Sequence, residues 1–129
     1  MGGRRQMERE TKLSAEILEQ DGALLVRAHG EVDLHSAPDF EHALQAGVER
    51  GGGALIVDLS DVAYVDSAGL SALVAAHRRL SARGAALYVI APPERPVARV
   101  LGITRLDTLF HVCSSLEEAI RQIKHSPPG

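Results

Sequence analysis

The residues best placed to do chemistry lie in Val65-Asp66-Ser67-Ala68-Gly69-Leu70, where a run of strand-forming residues gives way to an amphipathic helical pattern. A hydroxyl beside a carboxylate at a helix entrance can act in three ways. It can attack a substrate, cap the helix, or accept a phosphate and serve as a reversible charge switch. As a nucleophile Ser67 has weak support. A nucleophile elbow reads G-x-S-x-G, and Val65 stands where the first glycine belongs. A triad also needs a histidine held against the serine, and the spacing of His29, His35, His42, His77, His111 and His125 nominates none of them. As a cap Ser67 is ordinary, since serine is among the best N-caps and its loss costs about 1 kcal/mol. Two neighbours exceed what a cap needs. Asp66 could cap the helix itself. Gly69 lies in the first turn, where glycine costs about 1 kcal/mol relative to alanine, and there it would leave the backbone bare to a partner or a phosphate.

A second acidic group, Gly30-Glu31-Val32-Asp33, ends an earlier strand pattern. In a parallel sheet, strand C-termini and helix N-termini share one edge. That edge is expected to gather Asp33, Asp58, Asp61, Asp66 and Ser67. Asp61 reads as a solvated turn residue, whereas Asp33 and Asp66 flank the hydroxyl and are the better candidates for partner contact. The partner-binding set is therefore Asp33, Asp66, Ser67, Ala68 and Gly69. A phosphate on Ser67 is expected to be tolerated or favoured by the amides of Ala68, Gly69 and Leu70 but opposed by Asp66 and Asp33. No phosphate-cradling motif is present: Gly51-Gly52-Gly53 lacks a lysine and precedes a strand, so it reads as a turn. The histidines lack metal-ligand spacing and Cys113 is the single cysteine, so neither a metal nor a cofactor is expected.

The elements that must position these residues follow from periodicity. Leu13, Ala15 and Ile17 alternate with polar neighbours, a half-buried strand. The turn dipeptide Asp21-Gly22 joins it to a second strand from Ala23 to about Val32, giving an antiparallel hairpin. Ser36 is placed to N-cap a helix with Pro38 in its first turn and Phe40, Ala43, Leu44, Gly47 and Val48 on one face. Ala54 to Leu59 is a short apolar run, the mark of a strand covered on both faces. The helix from Ser67 to about Arg83 is expected to point Leu70, Leu73, Val74, His77 and Leu80 inward and to turn Ala72, Ala75, Ala76, Arg78 and Arg79 mostly away. Gly84 closes it, and Ala85 to Ala91 is another buried strand. A third helix follows Pro92-Pro93 with Val97, Val100 and Leu101 inward. A short edge strand falls within Leu109 to Cys113. Ser115 and Glu118 form a capping box for a last helix facing inward through Leu116, Ala119, Ile120 and Ile123. This order predicts an α/β fold: a single domain with a mixed, mostly parallel sheet, an N-terminal β-hairpin and about four helices.

The 129 residues suit one domain, with residues 1–10 as a charged tail, 11–124 as the domain and 125–129 as a second tail. Aromatic residues make up only 3%, so the core must be built from Leu, Val, Ile and Ala. The net charge of −3 leaves no electrostatic footprint for nucleic acid or an anionic membrane. No apolar run approaches the roughly 18–20 residues of a membrane span, and the N-terminal residues lack the apolar core of a signal peptide. One cysteine cannot form an internal disulfide. Together these point to a reducing, cytoplasmic setting.

The chain resembles a STAS domain of the anti-sigma factor antagonist kind. The resemblance is carried by Gly30-Glu31-Val32-Asp33 with Ser36-Ala37, by Leu55-Ile56-Val57-Asp58-Leu59-Ser60, by Val65-Asp66-Ser67-Ala68-Gly69-Leu70 and by Ser115-Leu116-Glu117-Glu118-Ala119. It runs from about Leu13 to Ile123. It implies a non-enzymatic regulator in which Ser67 is the acceptor of a phosphate from an anti-sigma factor that is also an ATP-dependent serine kinase. The unmodified form would bind that anti-sigma factor and free its sigma factor. Phosphorylation would release the complex, and a PP2C-type phosphatase would reverse it. Asp33 matches the family's acidic position near the serine. Ala68 departs from the pattern, standing where many relatives carry a second hydroxyl. The alternatives are a STAS scaffold subunit with an unphosphorylated Ser67 and, in another class, a small serine hydrolase.

Overall fold

The computed structural model describes residues 13–50 and 52–125. The expected tail at residues 1–10 and residues 126–129 of the second tail lie outside the described residues, as does Gly51.

The chain opens with β1 (Leu13–Gln20) and β2 (Ala23–Val32), paired antiparallel through a turn in which Asp21 (φ 53°) and Gly22 (φ 83°) both take the left-handed conformation. Two positive-φ residues in a two-residue loop match the right-handed twist of the flanking strands. Helix α1 (Ala37–Glu49) follows, then β3 (Ala54–Val65), α2 (Ser67–Ser81), β4 (Ala86–Ile90), α3 (Pro96–Ile103), a 3-10 turn (Leu106–Thr108), β5 (His111–Cys113) and α4 (Leu116–Lys124). The five strands form one sheet in the order β1-β2-β3-β4-β5, antiparallel at β1–β2 and parallel thereafter. This is the predicted α/β architecture.

The two faces of the sheet are covered unequally. On one, Leu24, Val26, Leu55, Val57, Leu87 and Val89 pack under α1, α2 and α3, with Phe40, Leu44, Leu73, Leu80, Val97 and Leu101 pointing down onto them. On the other, Leu25, Ile56, Tyr88, Ile90 and Cys113 meet, among the described residues, only α4, through Ala119, Leu116, Ile120 and Ile123. The strands alternate between these faces with the period of two that the pleat dictates.

Several local expectations are corrected. β3 does not end at Leu59 but continues to Val65, keeping its parallel pairing with β2 through irregularities between Arg27 and His29 and between Gly30 and Glu31. Ala15 is exposed rather than half-buried, because β1 is an edge strand. Ser36 occupies the N-cap position of α1 without making the cap hydrogen bond, since its hydroxyl is engaged elsewhere. The inward stripe of α2 is Gly69, Ala72, Leu73, Ala76 and Leu80, so two alanines placed outward by the pattern face the core. Leu70, Val74 and His77 are only partly buried. Small residues let α2 approach α1, where Ala72 and Ala76 share a cleft with Leu44 and Val48. The larger Leu70 and Val74 are left partly buried beside that contact. At α4, Ser115 Oγ does accept from the Glu118 amide (3.1 Å), but the Glu118 carboxylate accepts from the amide and hydroxyl of Ser114 (both 2.7 Å), one residue before the expected partner.

Candidate functional site

The end of β3 and the start of α2 are fixed by backbone and side chain together. Val65 pairs with Val32, and the Asp66 amide donates to the Val32 carbonyl at 3.0 Å. Asp66 stands at the N-cap with extended backbone (φ −97°, ψ −170°), and its Oδ1 accepts from the amides of Ala68 (2.9 Å) and Gly69 (3.2 Å). Its carbonyl takes the Leu70 amide at 3.0 Å. Ser67 is therefore the first helical residue and not the cap, and it is exposed.

This arrangement corrects the expected fate of a phosphate. The amides of Ala68, Gly69 and Leu70 already have acceptors in Asp66, so a phosphate on Ser67 would meet a filled first turn and a neighbouring carboxylate rather than free donors. Gly69 also departs from its expected role. A Cβ built on it would lie 2.7 Å from Cγ1 of both Val32 and Val65, closer than real contacts allow. Gly69 is buried against the strand ends, so it seats the helix and is not bare backbone offered to a partner.

Asp33 closes the adjacent corner. Its carboxylate Oδ1 accepts from the Ser36 amide (2.9 Å), its own amide donates to Ser36 Oγ (3.0 Å), and the Ser36 hydroxyl donates back to the Glu31 carbonyl (2.9 Å). This bracket turns the chain from β2 into α1. The Ser36 amide, more than any other group, holds the Asp33 carboxyl below the usual carboxylate range. Because Val32 and Val65 are neighbours in register, Asp33 and Asp66 leave the sheet side by side.

Asp58 and Asp61 do not join them. With β3 running to Val65, Asp58 lies within the sheet, 8% exposed, and its carboxylate meets Arg27 Nε at 3.4 Å and accepts from the amide (2.9 Å) and hydroxyl (2.6 Å) of Ser60. Asp61 is exposed and sits 3.3 Å from His29 Nδ1, while Glu16 reaches the other ring nitrogen at 3.9 Å. Of the expected edge, Asp33, Asp66 and Ser67 converge; Asp58 and Asp61 belong to a polar patch on the sheet face that α4 leaves open.

Apolar groups that the sequence pattern did not assign to this edge share it. Leu34, directly after Asp33, is 78% exposed, and Tyr64, before Val65, is 52% exposed. Beside Ser67, the outer face of α2 forms a shallow groove of about 610 Å³ lined by Leu70, Ser71, Val74 and Ala75, with Arg78 and Arg79 at its far end. The available signal for Leu34 was a bare leucine between an acidic residue and a helix start. For Leu70 and Val74 the signal was an apolar stripe too wide for the face the helix buries. Among the described residues no histidine hydrogen-bonds Ser67; His77 packs against Phe110 at 6.1 Å between ring centroids, and His111 stacks on Tyr88 at 4.4 Å.

A mixed five-stranded α/β domain that presents an uncapped, exposed serine at a strand-to-helix junction is the class defined by this fold and site. The family model described as STAS domain matches residues 14–119. The anti-sigma-B factor antagonist of Staphylococcus epidermidis is 31% identical over 105 residues, covering 81% of this chain and 96% of that protein. An anti-sigma factor antagonist from Mycobacterium paratuberculosis, 29% identical, superposes with a TM-score of 0.79 over 87% of this chain and 94% of its own. The Bacillus cell fate determinant SpoIIAA, solved in its phosphorylated form, shares the fold at 19% identity with a TM-score of 0.61, over 85% of this chain and 99% of its own. The chain belongs to the STAS-domain family, in its anti-sigma factor antagonist group.

Proposed function

We propose that this protein is an anti-sigma factor antagonist switched at Ser67. Its unmodified form docks an anti-sigma factor through the edge holding Asp33, Asp66, Ser67 and Ala68, with Gly69 setting the seat of the helix, and thereby frees a sigma factor. The anti-sigma factor is itself an ATP-dependent serine kinase that transfers the γ-phosphoryl group of ATP to the Ser67 hydroxyl, leaving ADP and phosphoserine. A PP2C-type phosphatase hydrolyses that ester and returns the hydroxyl. The domain supplies the acceptor and the docking edge, and the chemistry belongs to its partners.

The observation that carries this reading is the exposed Ser67 hydroxyl beside a first turn already capped by Asp66. Among the described residues that hydroxyl makes no hydrogen bond and does not cap the helix. A phosphate there adds about −1.5 to −2 charges next to the Asp66 carboxylate, outside the core. It changes the size, charge and solvation of the edge, and a loss of about 1.4 kcal/mol already weakens docking tenfold.

The test is to incubate the protein with ATP and each purified anti-sigma kinase from the same genome, then locate added phosphate by mass spectrometry. One phosphate on Ser67, absent in Ser67→Ala, is expected, together with weakened binding in Ser67→Asp. Undiminished binding by Ser67→Asp, or no phosphate with a kinase that binds, counts against the switch. The latter would favour a STAS scaffold role, and covalent capture of Ser67 by a serine-hydrolase probe would favour hydrolysis.

A further inference from the structure

We infer that the groove on the outer face of α2 docks a partner ridge that is apolar along its length and acidic at one end, with Arg78 and Arg79 as the residues that set its register. This rests on the proposed function and goes beyond it by naming the chemistry of the partner surface. The groove begins at two hydroxyls, Ser67 and Ser71, runs over Leu70, Val74 and Ala75, and finishes at Arg78 and Arg79. Its floor is aliphatic surface that α2 does not bury. Its far end carries two positive charges on a chain whose net charge is −3.

Neither guanidinium has an ion-pair partner among the described residues. Glu41 of α1 shares the next cleft with Arg79, yet the two form no ion pair. Arg83, by comparison, is committed to the fold, donating to the Val48 carbonyl at 2.6 Å. Two cations in the last turn do complement the helix dipole, which is a structural role and would register in stability. Recognition of an acidic partner registers in affinity and in its salt dependence. The polarity of the groove also gives direction: an acidic end seated at Arg78 and Arg79 leaves the opposite end of the ridge over Ser67. A phosphate there would then strike the apolar end of the docked surface.

The test uses the full chain and each purified anti-sigma factor encoded in the same genome, with dissociation constants measured at low and high salt. The double variant Arg78→Glu/Arg79→Glu is expected to bind roughly tenfold or more weakly at low salt, about 1.4 kcal/mol, with salt now relieving repulsion instead of weakening an attraction. Arg78→Lys/Arg79→Lys, which keeps both charges, and Arg121→Glu, on the exposed side of α4, are expected to stay within about twofold of wild type. Arg78→Gln/Arg79→Gln decides the matter should the reversal fail to fold. Affinity unchanged in the double glutamine variant overturns the inference, as does loss that merely tracks a lowered melting temperature. Wild-type protein that binds none of the anti-sigma factors overturns the proposed function, whereas wild-type binding that ignores both arginines overturns this inference alone.

Discussion

At the scale of single residues, the site depends on a division of labour between Asp66, Ser67 and Gly69. Asp66 satisfies the first-turn amides and so leaves the neighbouring hydroxyl out of the cap. Asp66→Ala should lower stability by about 1 kcal/mol, and Asp66→Asn, which can still accept the amide bonds, by far less. Ser67→Ala should be nearly silent in the same denaturant titration, because Ser67 is exposed and is not the cap. A Ser67→Ala loss as large as that of Asp66→Ala would mean the hydroxyl is structural after all. Gly69→Ala places a methyl 2.7 Å from Val32 and Val65, an overpacking that should cost about 1–3 kcal/mol. The same substitution tilts the start of α2, so phosphorylation of Ser67 should slow with it. The sequence made the glycine conspicuous, but its reason is helix seating, which only the positions of Val32 and Val65 reveal.

At the scale of elements, the corner between β2 and α1 is held by the Asp33–Ser36 bracket rather than by a conventional cap. Its carboxylate has a lowered pKa in the folded protein. A lowered carboxylate pKa means stability that is present above the unfolded value and lost as pH falls through the folded one. Asp33→Asn should therefore flatten the acid limb of the stability profile below about pH 4, measured by urea unfolding at stepped pH. An identical acid limb in wild type and variant would show that the bracket contributes nothing there. Elements were legible from the sequence wherever apolar periodicity was clean, as in the Asp21-Gly22 hairpin, β4 and α4. They were not where polarity interrupts a strand. Ser60, Asp61 and Tyr64 break the apolar run of β3, yet pairing with β2 carries the strand on to Val65. A β3 that stopped at Leu59 would put Asp58 at the candidate edge, whereas it is an in-sheet partner of Arg27 and Ser60. The buried face of α2 departs from the apolar pattern for a related reason. Periodicity ranks leucine and valine above alanine for the interior, but the close approach of α1 selects the small residues. The leftover Leu70 and Val74 line the groove beside Ser67.

At the scale of the whole molecule, a switch of this kind must change one edge without loosening the domain, and the unequal cover of the sheet offers a way to check it. Ser67 lies on the side packed by α1, α2 and α3, whereas Cys113 lies on the opposite side, under α4. Cys113 is 1% exposed, and burial pushes its thiol up to about 11, with the Glu118 carboxylate adding to the shift. At pH 8 the thiol is thus both covered and protonated, and alkylation must wait for α4 to lift or for global unfolding. The raised pKa also fixes a sign: the stability it represents is intact below the ordinary thiol value and is lost as pH climbs toward 11. Alkylation in the native state should therefore be slow at pH 8, and Ile120→Ala, which thins the cover that α4 provides, should speed it. Phosphorylation of Ser67, or Ser67→Glu as its stand-in, should leave the rate at the wild-type value, because the added charge sits at an exposed position across the sheet. Faster alkylation after phosphorylation would mean that the modification acts by softening the fold, and that release of the partner follows from loss of structure instead of from a changed docking edge.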